Sequence, residues 1–299
     1  MATITTFSSS LKFWFVLCSF SFLSLKTLSQ PRVNHLHTFC NDQADRFAEA
    51  SSYDENRKST LKYLRATTSD ATYLSVTKGL NADIVYGMYH CRGDNTKRSK
   101  STCRICVRTA TTLIAKTCTN QKEAIIYYEE CMVRYSDYSF FGLLETSPKF
   151  LTSSPSNFPD KSRFGDTLSS KMDKLITKAA STTLWPEPYL AHDQQRVNDF
   201  DSSYVVESLV QCSPDIDSGN CTKCLRLAVQ DILDCCSRSR TAQNFLPKCL
   251  VRYNTSSLPL NDPTTPKPRP SLGVIKGNKI FERTFTAVIT ASALALVGL

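Results

Sequence analysis

The sequence predicts an α+β fold built as two related modules held by disulfides, and three observations carry that expectation. Cysteine spacing is duplicated at a constant offset. Each copy runs from a helix-periodic stretch into β-branched and aromatic stretches. The chain opens with an export signal that places its thiols in an oxidising compartment. With 299 residues, 41% hydrophobic and 21% charged, the composition is globular rather than disordered or fibrous and suits two modest domains. Only nine glycines are present, and neither G-x-x-x-x-G-K-S/T nor G-x-G-x-x-G occurs, so nucleotide chemistry on a glycine-rich phosphate cradle is not expected.

The export signal is residues 1–29. Lys12 supplies the basic region, Phe13 to Leu25 the apolar run, and Thr27 and Ser29 the small residues at a cleavage site near Ser29 or Gln30. Cleavage removes Lys12, Lys26 and Cys18, leaving 36 − 2 = 34 basic residues against 27 acidic ones and an even twelve of the 13 cysteines. An even set in an oxidising compartment reads as a disulfide framework.

The first copy spans Val85 to Ser136 and the second Val205 to Asn254. Their cysteines are related by 221 − 103, 224 − 106, 236 − 118 and 249 − 131, each equal to 118, and both copies close on a C-x-V-R-Y run. Only the leading cysteine departs, at 212 − 91 = 121, because the first copy carries a three-residue insertion before its C-x-x-C. This is a tandem duplication.

Within each copy the C-x-x-C opens a helix. From Ser101, Cys103, Cys106, Val107, Ala110, Leu113 and Ile114 recur at helical spacing, with Ser101 or Thr102 as cap; Cys221, Cys224, Leu225, Ala228, Val229 and Ile232 repeat the stripe after Asp217 and Ser218. An earlier helix is expected at Glu55 to Ala66, with Leu61 and Leu64 on its apolar side. The runs AIIYYEECMVRYS and NFLPKCLVRY read as strands. The expected organisation is thus a signal peptide at 1–29, a first domain at 34–140, a linker at 141–157 and a second domain at 158–257. A proline-rich linker follows at 258–283, then an apolar tail at 284–299.

Zinc would need paired C-x-x-C motifs or histidines at short spacing within one domain, and His35, His37, His90 and His192 stand outside any such pattern. No metal and no cofactor are expected. A thioredoxin-like site is disfavoured because both C-x-x-C pairs are followed by further cysteines at fixed distances. Structural disulfides remain, with fifteen pairings open for six cysteines of one module. Cys103 and Cys106 lie on one helix face, too close to bridge each other, so each should reach a different strand.

Further residues carry the comparison to a known family. Cys40-Asn41, the Y-x-x-N of Tyr53 to Asn56, Val85-Tyr86-Gly87, Cys91 to Asp94 as C-R-G-D, the C-x-x-C and the closing C-x-x-R-Y-S resemble plant cysteine-rich repeat secretory proteins. Those carry two ginkbilobin-2-homologous, or stress-antifungal, domains, as do the ectodomains of cysteine-rich receptor-like kinases. The resemblance covers Cys40 to Tyr253. It implies two helices packed on an antiparallel sheet in each module, with Cys40 bonded to Cys118, Cys91 to Cys103, Cys106 to Cys131, Cys212 to Cys221 and Cys224 to Cys249. The second copy has no cysteine matching Cys40, so Cys236 loses its partner and has Cys235 beside it. A vicinal bridge, two free thiols or a bond to another chain are the alternatives. No kinase follows, since HRD and DFG are missing.

Some members of that family bind mannose through an Asn after the first cysteine, an Arg six before the last and a Glu five after it. Those positions here are Asn41, Ile125 and Ser136, and in the second copy Gln243 and Asn254 fill the latter two. Losing the charged pair removes the stronger hydrogen bonds, so mannose binding by that geometry is not expected. Asn41 reads as a turn residue and is the one retained ligand candidate.

Lys97, Arg98 and Lys100, with Arg92, Arg104 and Arg108, make a basic loop that reads as solvated, and the secretory route argues against nucleic acid. Asn254-Thr255-Ser256 is a glycosylation sequon, and Asn220-Cys221-Thr222 fits the pattern around a cysteine expected in a disulfide. No histidine sits in a catalytic motif. The expectation is a secreted, non-enzymatic recognition or defence protein whose partner is an extracellular protein, with a cell-wall glycan and a lectin-like antifungal role as the alternative. Ser271, Gly273 and the tail raise glycolipid anchoring or a membrane tether as the alternative to simple secretion.

Overall fold

A computed structural model describes residues 32–68, 71–93, 99–155, 161–183, 188–198 and 203–257. The expected signal peptide, proline-rich linker and apolar tail lie outside those residues, as do Asp94, Lys97, Arg98, Ser271 and Gly273. No described helix is long and apolar enough to cross a membrane.

The first module runs β1 (His35–Cys40), α1 (Ser52–Ala66), β2 (Tyr73–Lys78), β3 (Val85–Cys91), α2 (Ser99–Thr117), β4 (Ala124–Tyr128) and β5 (Cys131–Ser136). The second repeats it as β6 (Phe150–Ser153), α3 (Lys161–Ser181), β7 (Leu190–Asn198), β8 (Ser203–Cys212), α4 (Ser218–Cys236), β9 (Thr241–Phe245) and β10 (Cys249–Ser257). The strands form two antiparallel five-stranded sheets, ordered β1-β4-β5-β3-β2 and β6-β9-β10-β8-β7. Each sheet carries its two helices on one face.

Helix starts follow local chemistry. Ser51 caps α1 by accepting from the Asp54 amide, and Asp217 caps α4 by accepting from Asn220. The helix α2 begins two residues before Ser101 and three before Thr102, the expected caps. Its apolar stripe starts only at Cys103 and is silent about a polar first turn. Tyr53 and Asn56 of the family motif fasten α1 to its surroundings: the Tyr53 hydroxyl donates to the Lys122 carbonyl, and Asn56 Nδ2 to the Asp83 carbonyl at 2.9 Å. Gly87 is needed where α1 crosses β3, since a Cβ there would stand 2.3 Å from Thr60 Cγ2.

The stretch expected as a linker, 141–157, is corrected by β6, which pairs with β9 as an edge strand of the second sheet. Four residues without alternating polarity, FLTS, give a sequence reader nothing to separate from a connector. The register also shows what replaces Cys40. Cys40 pairs with Ala124, and Ser153 pairs with Ala242, the residue 118 positions later. Ser153 therefore stands at the place of Cys40 and Ser154 at that of Asn41, an offset of 113 that no cysteine marks.

Each module has its own core between helices and sheet. Leu64, Cys106, Ile114, Ile126 and Tyr135 centre the first, and Leu168, Met172, Leu225, Val251 and Tyr253 the second. A third apolar cluster lies on the helix-free faces, where Met88, Ile125, Tyr127, Met132 and Phe140 of the first module meet Phe150, Phe245 and Leu250 of the second. The strand period of two makes this arrangement: Ala124 and Ile126 point to the helices while Ile125 and Tyr127 point to the junction.

Candidate recognition surface

Among the described residues there are six disulfides. Cys40 bonds Cys118, Cys91 bonds Cys103, Cys106 bonds Cys131, Cys212 bonds Cys221, Cys224 bonds Cys249, and Cys235 bonds Cys236. The first five are the pairs the resemblance implies, and the sixth is the vicinal alternative. Cys103 and Cys106 reach different strands, β3 and β5. Among the described residues no group of three metal-ligating side chains converges.

The junction also buries charge. Lys248, whose side chain is 0% exposed, donates to Asp215 Oδ2 at 2.5 Å, and that carboxylate also accepts from Ser213 Oγ and the Gly142 amide. Burial pushes the Asp215 carboxyl up, but the Lys248 ammonium and these bonds outweigh it and hold it below its ordinary value. Gln211 of β8 crosses to the first module, donating to the Cys91 carbonyl at 3.2 Å and accepting from the Gly93 amide at 3.1 Å. Its amide nitrogen also lies 3.0 Å from His90 Nε2. Burial, helped by Lys248 and opposed by Asp215, lowers the His90 imidazole to about 4. Arg92 and Gly93 of the C-R-G-D run thus serve the fold, Arg92 donating to the Glu129 carbonyl and Gly93 to Gln211.

In the first module the three sugar-contacting positions of the family do not form a site. Asn41 Oδ1 accepts from the Gln43 and Ala44 amides, closing a turn, and its Nδ2 donates to Glu123 at 2.7 Å. Ile125 is 2% exposed beneath the junction and Ser136 is fully buried. The neighbouring charge is internal to the fold. Arg134, with a side chain 1% exposed, bonds Glu123, Glu145 and Tyr138 and lies 4.1 Å from the Phe140 ring centroid. Burial raises the Glu123 carboxyl, but hydrogen bonds from Asn41, Tyr138 and Arg134 hold it below its ordinary value.

In the second module the matching residues remain at a surface. Ser154, Gln243 and Asn254, with Thr152, Thr241 and Arg252 and with Glu129 of the first module, line a depression of about 360 Å³. Its polar groups carry no counterpart of the Arg and Glu pair at those positions. Asn254, the sequon residue, lies on this face, and Thr255 Oγ1 bonds the Arg240 carbonyl at 2.9 Å. Asn220 sits in the first turn of α4, its amide donating to Asp217, ahead of the buried Cys221.

A second depression of about 570 Å³ lies where α3 meets β7, lined by Lys171, Lys174, Lys178, Asp166, Asp193 and Gln195. Lys171 donates to Asp193 at 2.6 Å, and that bond draws the Asp193 carboxyl below its ordinary value. The strand β7 ends its sheet, so among the described residues no strand pairs with its outer edge, and His192 to Arg196 are all exposed. The sequence gives no sign of this edge, because LAHDQQRVN lacks the apolar alternation of a half-buried strand. Gln211 and the α3 lysines likewise fit no motif.

A family model described as salt stress response/antifungal matches residues 39–138 and 151–256. Cysteine-rich repeat secretory protein 8 of Arabidopsis thaliana is 44% identical over 285 residues, covering 93% of this chain and 97% of that protein. Putative cysteine-rich repeat secretory protein 7 of the same plant is 47% identical over 240 residues, covering 80% of this chain and 81% of that protein. Among solved structures, the tandem DUF26 ectodomain of the Arabidopsis thaliana cysteine-rich receptor-like protein PDLP8 superposes with a TM-score of 0.61 at 24% identity, over 75% of this chain and 98% of that one. Duplicated cysteines, two stapled α+β modules and these likenesses agree, and the chain belongs to the secreted, extracellular cysteine-rich repeat proteins built on two salt stress response/antifungal domains.

Proposed function

We propose that this chain is a non-enzymatic extracellular recognition protein that works through protein contacts. The observation that carries the reading is the closure of the first module's sugar-contacting positions: Ile125 and Ser136 are buried and Asn41 is spent on a turn and on Glu123. A pocket that must release Ile125 from a packed junction before admitting a ligand is poorly suited to sugar. The outer edge of β7 and the mixed-charge groove beside it offer what a protein partner uses, a row of main-chain groups and flanking charges of both signs.

The depression around Gln243 and Asn254, which Glu129 of the first module also lines, favours a second reading, binding of a glycan. Glycosylation of Asn254 competes with it, since the attached glycan would occupy the same face. The two readings separate when the secreted, processed chain is presented to a glycan array that includes mannose and to a panel of extracellular receptor ectodomains. Saturable binding to an ectodomain with a silent glycan array is the expected outcome. Micromolar mannose binding that is lost in Gln243→Ala contradicts the proposal and supports the second reading.

A further inference from the structure

Five of the six disulfides join residues between 9 and 78 positions apart with Cα separations of 5.4 to 6.1 Å, inside the ordinary range for a bridge. Nine of their ten cysteines are buried in the two cores, and Cys40 packs partly buried against the first. The sixth joins neighbours. A trans peptide fixes adjacent Cα atoms about 3.8 Å apart, below the range in which a bridge closes without strain. Consecutive side chains of a helix also diverge by about 100°, and both cysteines belong to the last turn of α4, which ends at Cys236. Ring closure and helical geometry therefore oppose each other at this one bond.

Accessibility separates this pair as well. Cys235 is exposed, whereas Cys236 packs partly buried against the second module's core. Cys236 is the match of Cys118, whose partner Cys40 sits on β1; in the second module Ser153 holds that place on β6. The pair thus closes on itself because its usual partner is a serine, and it staples no two elements of the fold. Opening it leaves Cys212–Cys221 and Cys224–Cys249 holding α4 to its sheet.

We propose that Cys235–Cys236 is a thiol–disulfide exchange site for low-molecular-weight thiols such as glutathione. The thiolate attacks the exposed Cys235 sulfur. A mixed disulfide forms there as the Cys235–Cys236 bond breaks, and the electron pair departs on the Cys236 sulfur, which takes a proton from water. A second thiolate then attacks the small molecule's sulfur, releasing its disulfide and leaving both cysteines reduced. Two thiols are oxidised and one protein disulfide is reduced. Strained and exposed bridges are the labile ones, whereas buried structural bridges resist the same reductant.

The test uses the intact secreted chain, titrated with glutathione, quenched with iodoacetamide and mapped by mass spectrometry without further reduction. Cys235 and Cys236 should open at a glutathione concentration about tenfold or more below that needed for any other bridge, with the glutathione adduct on Cys235 and the two sheets intact by circular dichroism. Opening of the pair together with, or after, the buried bridges overturns the proposal. So does a native chain whose Cys235 and Cys236 are unpaired before any thiol is added. A second variant does not depend on a reductant: in Ser153→Cys the introduced thiol should capture Cys236 and leave Cys235 alkylatable in untreated protein. Persistence of the vicinal bond in that variant counts against the proposed lability.

Discussion

Lys248 has a fully buried ammonium answered by a single carboxylate, so the consequence of losing each partner differs. Asp215→Ala leaves the charge of Lys248 uncompensated in the junction and should cost about 3–5 kcal/mol of stability. Lys248→Met should cost less, because Asp215 keeps its bonds from Ser213 and Gly142 and has some contact with water. Denaturant unfolding of both variants reads the difference, and equal losses would show that the pair is solvated. The same crevice makes stability sensitive to acid. His90 titrates at about 4 in the fold against 6.5 for a free imidazole, so between those values the unfolded chain binds more protons. The His90 contribution is complete above pH 6.5 and shrinks as pH falls toward 4, by a total on the order of 1–3 kcal/mol. His90→Gln should flatten this part of the stability profile; an unchanged slope would place the acid sensitivity elsewhere.

Elements whose apolar stripe runs beside the cysteines were legible in the sequence, whereas the polar edge strands were hidden, and so were α3 and β8 although they bury Leu168, Met172 and Val210. The stripe from Cys103 to Ile114 and its copy from Cys221 to Ile232 gave α2 and α4, and the β-branched and aromatic runs gave β4, β5 and β10, because period and burial coincide there. The polar β7 and the four-residue β6 are edge strands whose pairing partners supply what their sequences lack. The buried fate of Ile125 was also out of reach, since the sequence tells which face it shares but not that a second module covers that face. Close approach between elements is equally a three-dimensional matter, and Gly87 offers its clearest test. Gly87→Ala drives a methyl into Thr60 and should destabilise the first module by about 1–3 kcal/mol, as overpacking does. Adding Thr60→Ser removes the methyl it meets, and most of the loss should return. No recovery would mean that Gly87 is required for its backbone rather than for the space.

At the scale of the whole molecule, sulfur stands in for a large core. Each module has a modest apolar interior of its own, and closing the 78-residue separation between Cys40 and Cys118 alone is worth about 4–5 kcal/mol in the chain-entropy estimate. That is comparable with the net stability of a small domain. The duplication was readable from Cys103 onward because covalent pairing tolerates few changes of spacing, whereas the β6 repeat of β1 carries no cysteine to mark it, and the proposed recognition surface left no such trace, being assembled from an edge strand and a groove. The two modules join through an apolar cluster and the Gln211 hydrogen bonds to Cys91 and Gly93. The most direct measurement is a peptide map of the secreted chain, alkylated in the native state and digested without reduction. The expected map has no alkylated cysteine, five bridges between elements each confined to one module, and one bridge between Cys235 and Cys236. Free thiols among the other ten, or any bridge crossing from the first module to the second, would contradict it.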